Sequence, residues 1–287
     1  MKRLTDLNKE KLICLYEREK KSLQDIATLY KVSRVAIYRK LRKFAIKPRS
    51  KSEARIEAQK QGKLPQEFFD INESFFSTWS PEMAYVLGLL ITDGCVSKAG
   101  NVSLCINDRD LLEKVKIALG SEHKITPSNY QKGLYYFHFA REKLVRDLRK
   151  LCVVPRKSLI VKFPDVPQDF LSHFIRGVFD GDGSVFFDKR RPKFPLRSKF
   201  VSSSESFVRK LQSSLEYLGM PGRTIYKQRT KNGWSYMFIY DHKNSVRLFN
   251  ILYSEATNEL FLERKYTRFL EGIRKSGGYG ATGIRVS

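Results

Sequence analysis

Apolar and polar positions recur in two rhythms along the 287 residues of this chain, a helical one and a strand-like one. Over residues 8–45 the rhythm is helical and short, and it predicts three helices. Ser22 is placed to cap one of them, with Asp25 three positions later, and Leu23, Ile26, Ala27 and Tyr30 then face a core. A tight turn through Lys31-Val32 follows, and Ser33 is placed to cap a last helix from Arg34 to Phe44. That helix is expected to turn Val35, Leu41 and either Ile37 or Tyr38 inward, leaving Arg34, Arg39, Lys40, Arg42 and Lys43 largely outward. From Ile46 to about Phe69 the pattern dissolves into a basic, polar stretch containing Lys47-Pro48-Arg49. It reads as a linker, either a plain spacer or a basic segment that tracks an extended polyanion.

The remainder runs helix-strand-strand-helix-strand-strand-helix, twice. In the first copy, strands at 95–96 and 101–106 flank a turn at Lys98-Ala99-Gly100, and a helix from Asp108 to Leu119 ends at Gly120. Strand-like runs at 123–126 and 134–140 then precede a helix from Glu142 to Leu151. In the second copy, strands near 184–187 and 200–202 lead to a helix from Glu205 to Leu218. A hairpin over Lys231-Asn232-Gly233, a helix from Lys243 to Leu252 and a last helix from about Glu259 to Ile273 complete it. The expected class is α+β: two αββαββα repeats after a small all-α domain. The expected divisions are 1–46, a linker at 47–75, repeats at 76–163 and 164–275, and a tail at 276–287.

Charge adds a partner. With 54 Lys and Arg against 30 Asp and Glu, the formal net charge is +24. Residues 1–63 hold 19 of those bases and 7 of the acids, half of the excess. Such an excess suits a polyanion, because each neutralised phosphate releases a counterion. No apolar run approaches the roughly 20 residues of a membrane helix. Cys14, Cys95, Cys105 and Cys152 form no C-x-x-C pair and the four histidines are scattered, which argues against zinc.

Each repeat opens on an unusual helix. Ser80-Pro81 starts one that runs to Asp93-Gly94, and the other runs to Asp182-Gly183, with glycines Gly88 and Gly177 at matching internal positions. A mid-helix glycine costs about 1 kcal/mol against alanine, so two at matching places call for a reason. Close packing of Gly88 against Gly177 supplies one, and it brings Asp93 and Asp182 together at the helix ends. Two neighbouring carboxylates beside DNA phosphates repel unless a divalent cation such as Mg²⁺ or Mn²⁺ bridges them. The metal site is therefore expected at Asp93, Gly94, Asp182 and Gly183.

These paired segments, Val86 to Gly94 and Ile175 to Gly183, resemble the motifs of single-chain LAGLIDADG homing endonucleases, the second more closely. Ile91 stands where that family often has an acid, and Asp180 occupies the variable earlier acid position. The resemblance implies two four-stranded sheets forming a saddle in DNA major grooves, with Asp93 and Asp182 as the catalytic acids. It also implies that Lys157 and Lys265 approach the scissile phosphate. The front resembles the helix-turn-helix of resolvases and repressors. DNA contacts are thus expected from Arg34, Tyr38, Arg39, Arg42, Lys43, Lys47 and Arg49. In the repeats they are expected from Lys132, Lys189, Arg191, Arg197, Lys199, Lys227, Arg229 and Lys231. The implied activity is metal-dependent double-strand cleavage at a long asymmetric site by a monomer in the cytoplasm or an organellar matrix, near the nucleoid. A transcription regulator, or a maturase that would bind RNA, is the alternative on the same scaffold. The Met1 start and the absence of a His-Asn splice junction speak against an intein.

Overall fold

Side-chain caps set the helices at the front of the chain. The computed structural model describes residues 4–63, 69–97, 100–154, 161–231, 233–256 and 260–275. The chain separates into two units, Met1–Phe68 and Phe69–Ser287. In the first, Asn8 accepts from the Lys11 amide and opens α1 (Lys9–Ile13), which continues as a π-turn over Cys14–Arg18. Ser22 and Asp25 form a reciprocal capping box at α2 (Leu23–Leu29), and Ser33 caps α3 (Arg34–Lys43). Between them Lys31 adopts a left-handed backbone with φ 52°. Leu12, Ile26, Ala27, Ile37 and Leu41 form a core with no exposed surface. Val35, expected inward, is 53% exposed and Tyr38 is 43% exposed. Ile37 and Leu41, one helical turn apart, take the inward stripe and leave those two on the outer face.

The expected linker is divided between the units. Arg49 donates to the backbone carbonyls of Lys20 (3.1 Å), Tyr16 (2.6 Å) and Lys21 (2.7 Å), and its guanidinium lies 4.2 Å from the Tyr16 ring centroid. A helix, α4 (Lys51–Lys60), follows, and Gln61 donates to the Lys20 carbonyl. Residues 47–63 therefore belong to the front unit. Residues 69–75 belong to the second, where Asn72 donates to the Leu119 carbonyl and Phe75 enters the main core.

The second unit opens with α5 (Pro81–Thr92), whose cap Ser80 accepts from the Met83 amide. Then come β1 (Gly94–Val96), β2 (Val102–Ile106), α6 (Arg109–Ala118), β3 (Ile125–Pro127), β4 (Tyr135–Phe139) and α7 (Glu142–Lys150). The order recurs as α8 (Leu171–Asp182), β5 (Ser184–Phe187), β6 (Leu196–Ser202), α9 (Glu205–Tyr217), β7 (Tyr226–Thr230), β8 (Gly233–Tyr240) and α10 (His242–Tyr253). A final helix, α11 (Glu263–Lys275), closes it. Both sheets are antiparallel with the same strand order, β1-β2-β4-β3 and β5-β6-β8-β7. The α+β architecture with two matched repeats is therefore present. Several bounds differ from expectation: β6 begins four residues earlier, at Leu196, where it pairs with Phe187; α11 begins four residues later, at Glu263; and β3 covers Ile125–Pro127 rather than 123–126. Alternate residues of the sheets (Val102, Leu104, Phe137, Phe139; Phe200, Phe238) are buried against helices, and one continuous core joins both repeats through α5 and α8. The Lys98-Ala99 turn, Asn232 and the tail from residue 276 lie outside the described residues.

Candidate active site

The α5–α8 contact depends on the absence of two side chains. A Cβ on Gly88 would fall 2.8 Å from the Val178 nitrogen and closer still to the Phe174 carbonyl. A Cβ on Gly177 would fall 3.0 Å from the Leu89 nitrogen and closer still to the Tyr85 carbonyl. Both obstacles are backbone, which cannot rotate aside, so the helices meet only because both positions are glycine. Gly181 extends the seam: a Cβ there would meet Thr92 and sit 3.1 Å from Asp93 Oδ2. The Asp93 carboxylate thus lies at the terminal turn of α8, beside the residue that precedes Asp182.

Each acid is followed by a glycine for reasons of space. At Gly94 a Cβ would lie 2.5 Å from the Leu90 carbonyl, and at Gly183 one would lie 2.5 Å from the Phe179 carbonyl. The chain can then leave each helix directly into β1 or β5, holding Asp93 and Asp182 at the helix ends. Asp93 is half-buried and Asp182 exposed. Both carboxylates act electrostatically on one ammonium, that of Lys265. Among the described residues no group of three or more His, Cys, Asp or Glu surrounds a common point. Two carboxylates leave most of a cation's oxygen positions to water and substrate, which fits Mg²⁺ and its reluctance to dehydrate fully.

Lys265 is placed differently from the expectation. It is 5% exposed, and its ammonium donates to the carbonyls of Phe179 (2.7 Å), Asp180 (2.7 Å) and Gly181 (3.2 Å). Its three donors therefore close the C-terminus of α8, where the helix dipole is negative, rather than facing a phosphate. Burial pushes its pKa down to about 8, against the opposing pull of Asp180. Lys157 lies outside the described residues.

Asp180, which pattern reading places only at a variable position, is the hub of the buried network. Its carboxylate accepts from Tyr85 Oη (2.8 Å), Tyr253 Oη (3.2 Å) and the Leu262 amide (2.8 Å), tying α5, α8, α10 and the approach to α11 together. Burial raises its pKa, while the nearby Lys265 charge opposes the rise. One turn earlier, Arg176 donates to the Leu260 and Leu252 carbonyls and lies 5.1 Å from the Tyr85 ring centroid. Across the repeats, Arg264 donates to Asp108 at 3.1 Å. The signal for Asp180 lay in the two tyrosines, but only the fold makes them neighbours.

The expected DNA contacts separate into two groups. Arg34, Tyr38, Arg39, Arg42, Lys43, Lys47, Lys132, Lys189, Arg191, Lys227, Arg229 and Lys231 are exposed, and Lys199 is half-buried. Arg49 and Arg197 are corrections. The Arg49 guanidinium is committed to three carbonyls of the front unit. Arg197 is buried and donates to the carbonyls of Phe194 (3.0 Å) and Leu196 (2.8 Å), which fixes the β5–β6 loop. On the outer sheet, Lys227 lies 4.3 Å from the Trp234 ring centroid, and Arg229 pairs in register with Trp234. Sequence reading did not single out Trp234. No helix among the described residues is long and apolar enough to cross a membrane.

A family model described as LAGLIDADG-like domain matches residues 80–152 and 169–253, more than half of the chain. A probable translation initiation factor IF-2 from Methanocaldococcus jannaschii is 25% identical over 230 residues, which make up 75% of this chain and 18% of that protein. The chain thus spans under a fifth of that relative's length. Among solved structures, the homing endonuclease I-DmoI in complex with DNA and Mn is 19% identical, with 64% of this chain and 100% of that one covered at a TM-score of 0.43. The LAGLIDADG meganuclease I-AabMI bound to uncleaved DNA is 13% identical, with 69% and 90% covered at 0.47.

Proposed function

Since the chain belongs to the LAGLIDADG-like family, we propose that it is a divalent-metal-dependent DNA endonuclease that hydrolyses one phosphodiester in each strand of a long asymmetric site. The observation that carries this reading is the pair of acids, Asp93 and Asp182, held at the matched ends of two glycine-packed helices. A bound Mg²⁺ or Mn²⁺ supplies Lewis-acid activation of water and stabilisation of the leaving oxygen. The Asp93 and Asp182 carboxylates, with the adjoining backbone of Gly94 and Gly183, are the groups that would hold it. Lys265 keeps the end of α8 in place by closing its carbonyls. The second sheet and its β7–β8 turn, with Lys199, Lys227, Arg229 and Lys231, offer bases to phosphates and hydrogen-bonding groups to base edges. Two unlike repeats in one chain suit an asymmetric site read by a monomer. The front unit, exposing Arg34, Tyr38, Arg39, Arg42 and Lys43 on α3, adds a second contact to the same duplex.

The test is selection of cleaved duplexes from a randomised library with Mg²⁺, followed by cleavage and binding assays on the selected site. The wild type is expected to cut both strands, chelation to stop it, and Asp93→Asn or Asp182→Asn to abolish double-strand cleavage while leaving binding intact. Normal double-strand cutting by either variant sinks the assignment. Metal-independent cutting sinks it equally.

A further inference from the structure

The second repeat contains a cleft that the paired helices do not use. It opens between the loop at 188–195 and the start of α10, with a volume of about 1040 Å³. That is slightly above the range in which small-ligand clefts fall, about 300–1,000 Å³. β5 spans four residues from Ser184 to Phe187, so the cleft lies about 13 Å of strand away from Asp182.

Three features of its lining point to one kind of ligand. His242 is 7% exposed, and both of its ring nitrogens are buried without a hydrogen-bond partner among the described residues. Buried polar groups are ordinarily paired, so an imidazole with neither nitrogen paired by the described residues calls for a donor and an acceptor from outside them. Burial and the neighbouring Arg197 charge hold its pKa below the usual histidine value, so the ring offers one of each. The mouth is cationic: Arg191, Lys193, Lys243 and Arg247 line it. The acid there, Asp241, already accepts from the Asn244 amide and from Arg223, both at 3.1 Å. That carboxylate caps the N-terminus of α10, so the cationic character of the mouth rests on the four side chains. Finally, the floor is apolar, with the Phe194 ring 5.4 Å from that of His242 and inclined to it by 57°, and with Val246 and Pro192 beside them. Arg197 holds this floor in shape through the Phe194 and Leu196 carbonyls.

An anion joined to a planar ring that carries hydrogen-bonding heteroatoms satisfies all three features together. We propose that the cleft binds a nucleoside monophosphate unit, with its base beside His242 and Phe194 and its phosphate at the Lys243 and Arg247 side of the mouth. Two sources present this chemistry: a free nucleotide, and an unpaired nucleotide at the end of a DNA duplex.

Calorimetric titration of the full chain with dAMP and with orthophosphate tests the proposal. Two further titrations use a blunt duplex and the same duplex bearing one unpaired 3′ adenosine. The expected result is saturable dAMP binding, at least tenfold tighter than orthophosphate, and weakened at least tenfold by His242→Phe and by the Lys243→Glu/Arg247→Glu double variant. If free dAMP fails but the unpaired adenosine tightens duplex binding in a His242-dependent way, the DNA end is the source and the site stands. Thermal unfolding checks that His242→Phe is folded, and if it is not, the double variant decides alone. The proposal is overturned if wild type binds no dAMP and does not distinguish the two duplexes. It is overturned equally if the folded variants bind as wild type does. None of these readings involves cleavage, so they stand or fall apart from the endonuclease assignment.

Discussion

Replacing Gly177 by alanine tests the contact on which the acid pair depends. The added Cβ would lie 3.0 Å from both the Leu89 nitrogen and the Tyr85 carbonyl carbon, and nearer still to the Tyr85 oxygen. Non-bonded heavy atoms settle at roughly 3.5–4.0 Å. All three obstacles are backbone, so α5 and α8 must part by about 1 Å. Overpacking of this kind costs about 1–3 kcal/mol. The better helix propensity of alanine returns about 1 kcal/mol, and with rigid obstacles the net loss should be about 2 kcal/mol. For a unit of this size that corresponds to a fall of about 4–8 °C in melting temperature. The catalytic effect should be larger, because a misplacement of about 1 Å in a reacting constellation can cost on the order of 100-fold in rate. Gly272→Ala is the control: its nearest neighbours are the side chains of Leu196 and Phe187, which have more freedom to adjust. Urea unfolding and single-turnover cleavage of the selected site provide the measurements. A Gly177→Ala protein with wild-type stability and cleavage would refute the claim that backbone contact at this seam sets the spacing of Asp93 and Asp182.

Three other outcomes follow from the same geometry. Asp180→Leu leaves Tyr85, Tyr253 and the Leu262 amide without their acceptor, and should cost about 3–5 kcal/mol. Tyr85→Phe alone should cost about 1 kcal/mol, the double variant should cost less than the sum, and additivity within about 0.5 kcal/mol in urea unfolding would exclude the coupling. Lys265 has a folded pKa of about 8 against an ordinary 10.5, so between those values the unfolded chain binds the proton that the folded chain has released. The stability of wild type minus that of Lys265→Met should therefore rise with pH across this window, and a flat difference would contradict the burial argument. A chain beginning at Phe69 should still cut, but with weaker affinity and a shallower salt dependence, and unchanged values of both would show that the front unit does not touch the target.

What could be read from the sequence was whatever is settled within a few residues. The caps at Ser22, Ser33 and Ser80 act over three positions, and the penalty for a mid-helix glycine marks Gly88 and Gly177 at the sites of closest approach. Asp180 escaped because its partners lie 95, 73 and 82 residues away, and none of them carries a charge that would announce the pairing. The same distance hid Arg49. In a run of basic residues it looks like its neighbours, and only the fold brings the Tyr16 and Lys21 carbonyls, 33 and 28 residues back, to its guanidinium. Lys265 was expected to approach the scissile phosphate, whereas its ammonium donates to the last carbonyls of α8; pattern cannot distinguish a lysine that faces substrate from one that closes a helix.

The buried network also bears on why the two repeats are unlike. Aligning the motifs places Tyr85 opposite Phe174 and Asp180 opposite Ile91. On one side of the seam the pair is a hydroxyl and the carboxylate that accepts from it. At the equivalent positions on the other side stand a phenyl ring and an isoleucine, both buried. Each pair is internally consistent, whereas exchanging one member would leave a hydroxyl or a carboxylate buried without its partner. Leu87 and Arg176 differ in the same way: a leucine in α5, and in α8 an arginine answered by the Leu260 and Leu252 carbonyls. An identical pair of subunits would have to repeat every such choice on both sides of the axis. With both motifs in one chain, α8 can carry the carboxyl and guanidinium groups that fasten α10 and the approach to α11, while α5 meets them with the Tyr85 hydroxyl and packs tightly against α8. The two carboxylates then stand at equivalent places in unequal surroundings: Asp182 ends the helix whose carbonyls Lys265 closes, and Asp93 ends a helix with an apolar flank.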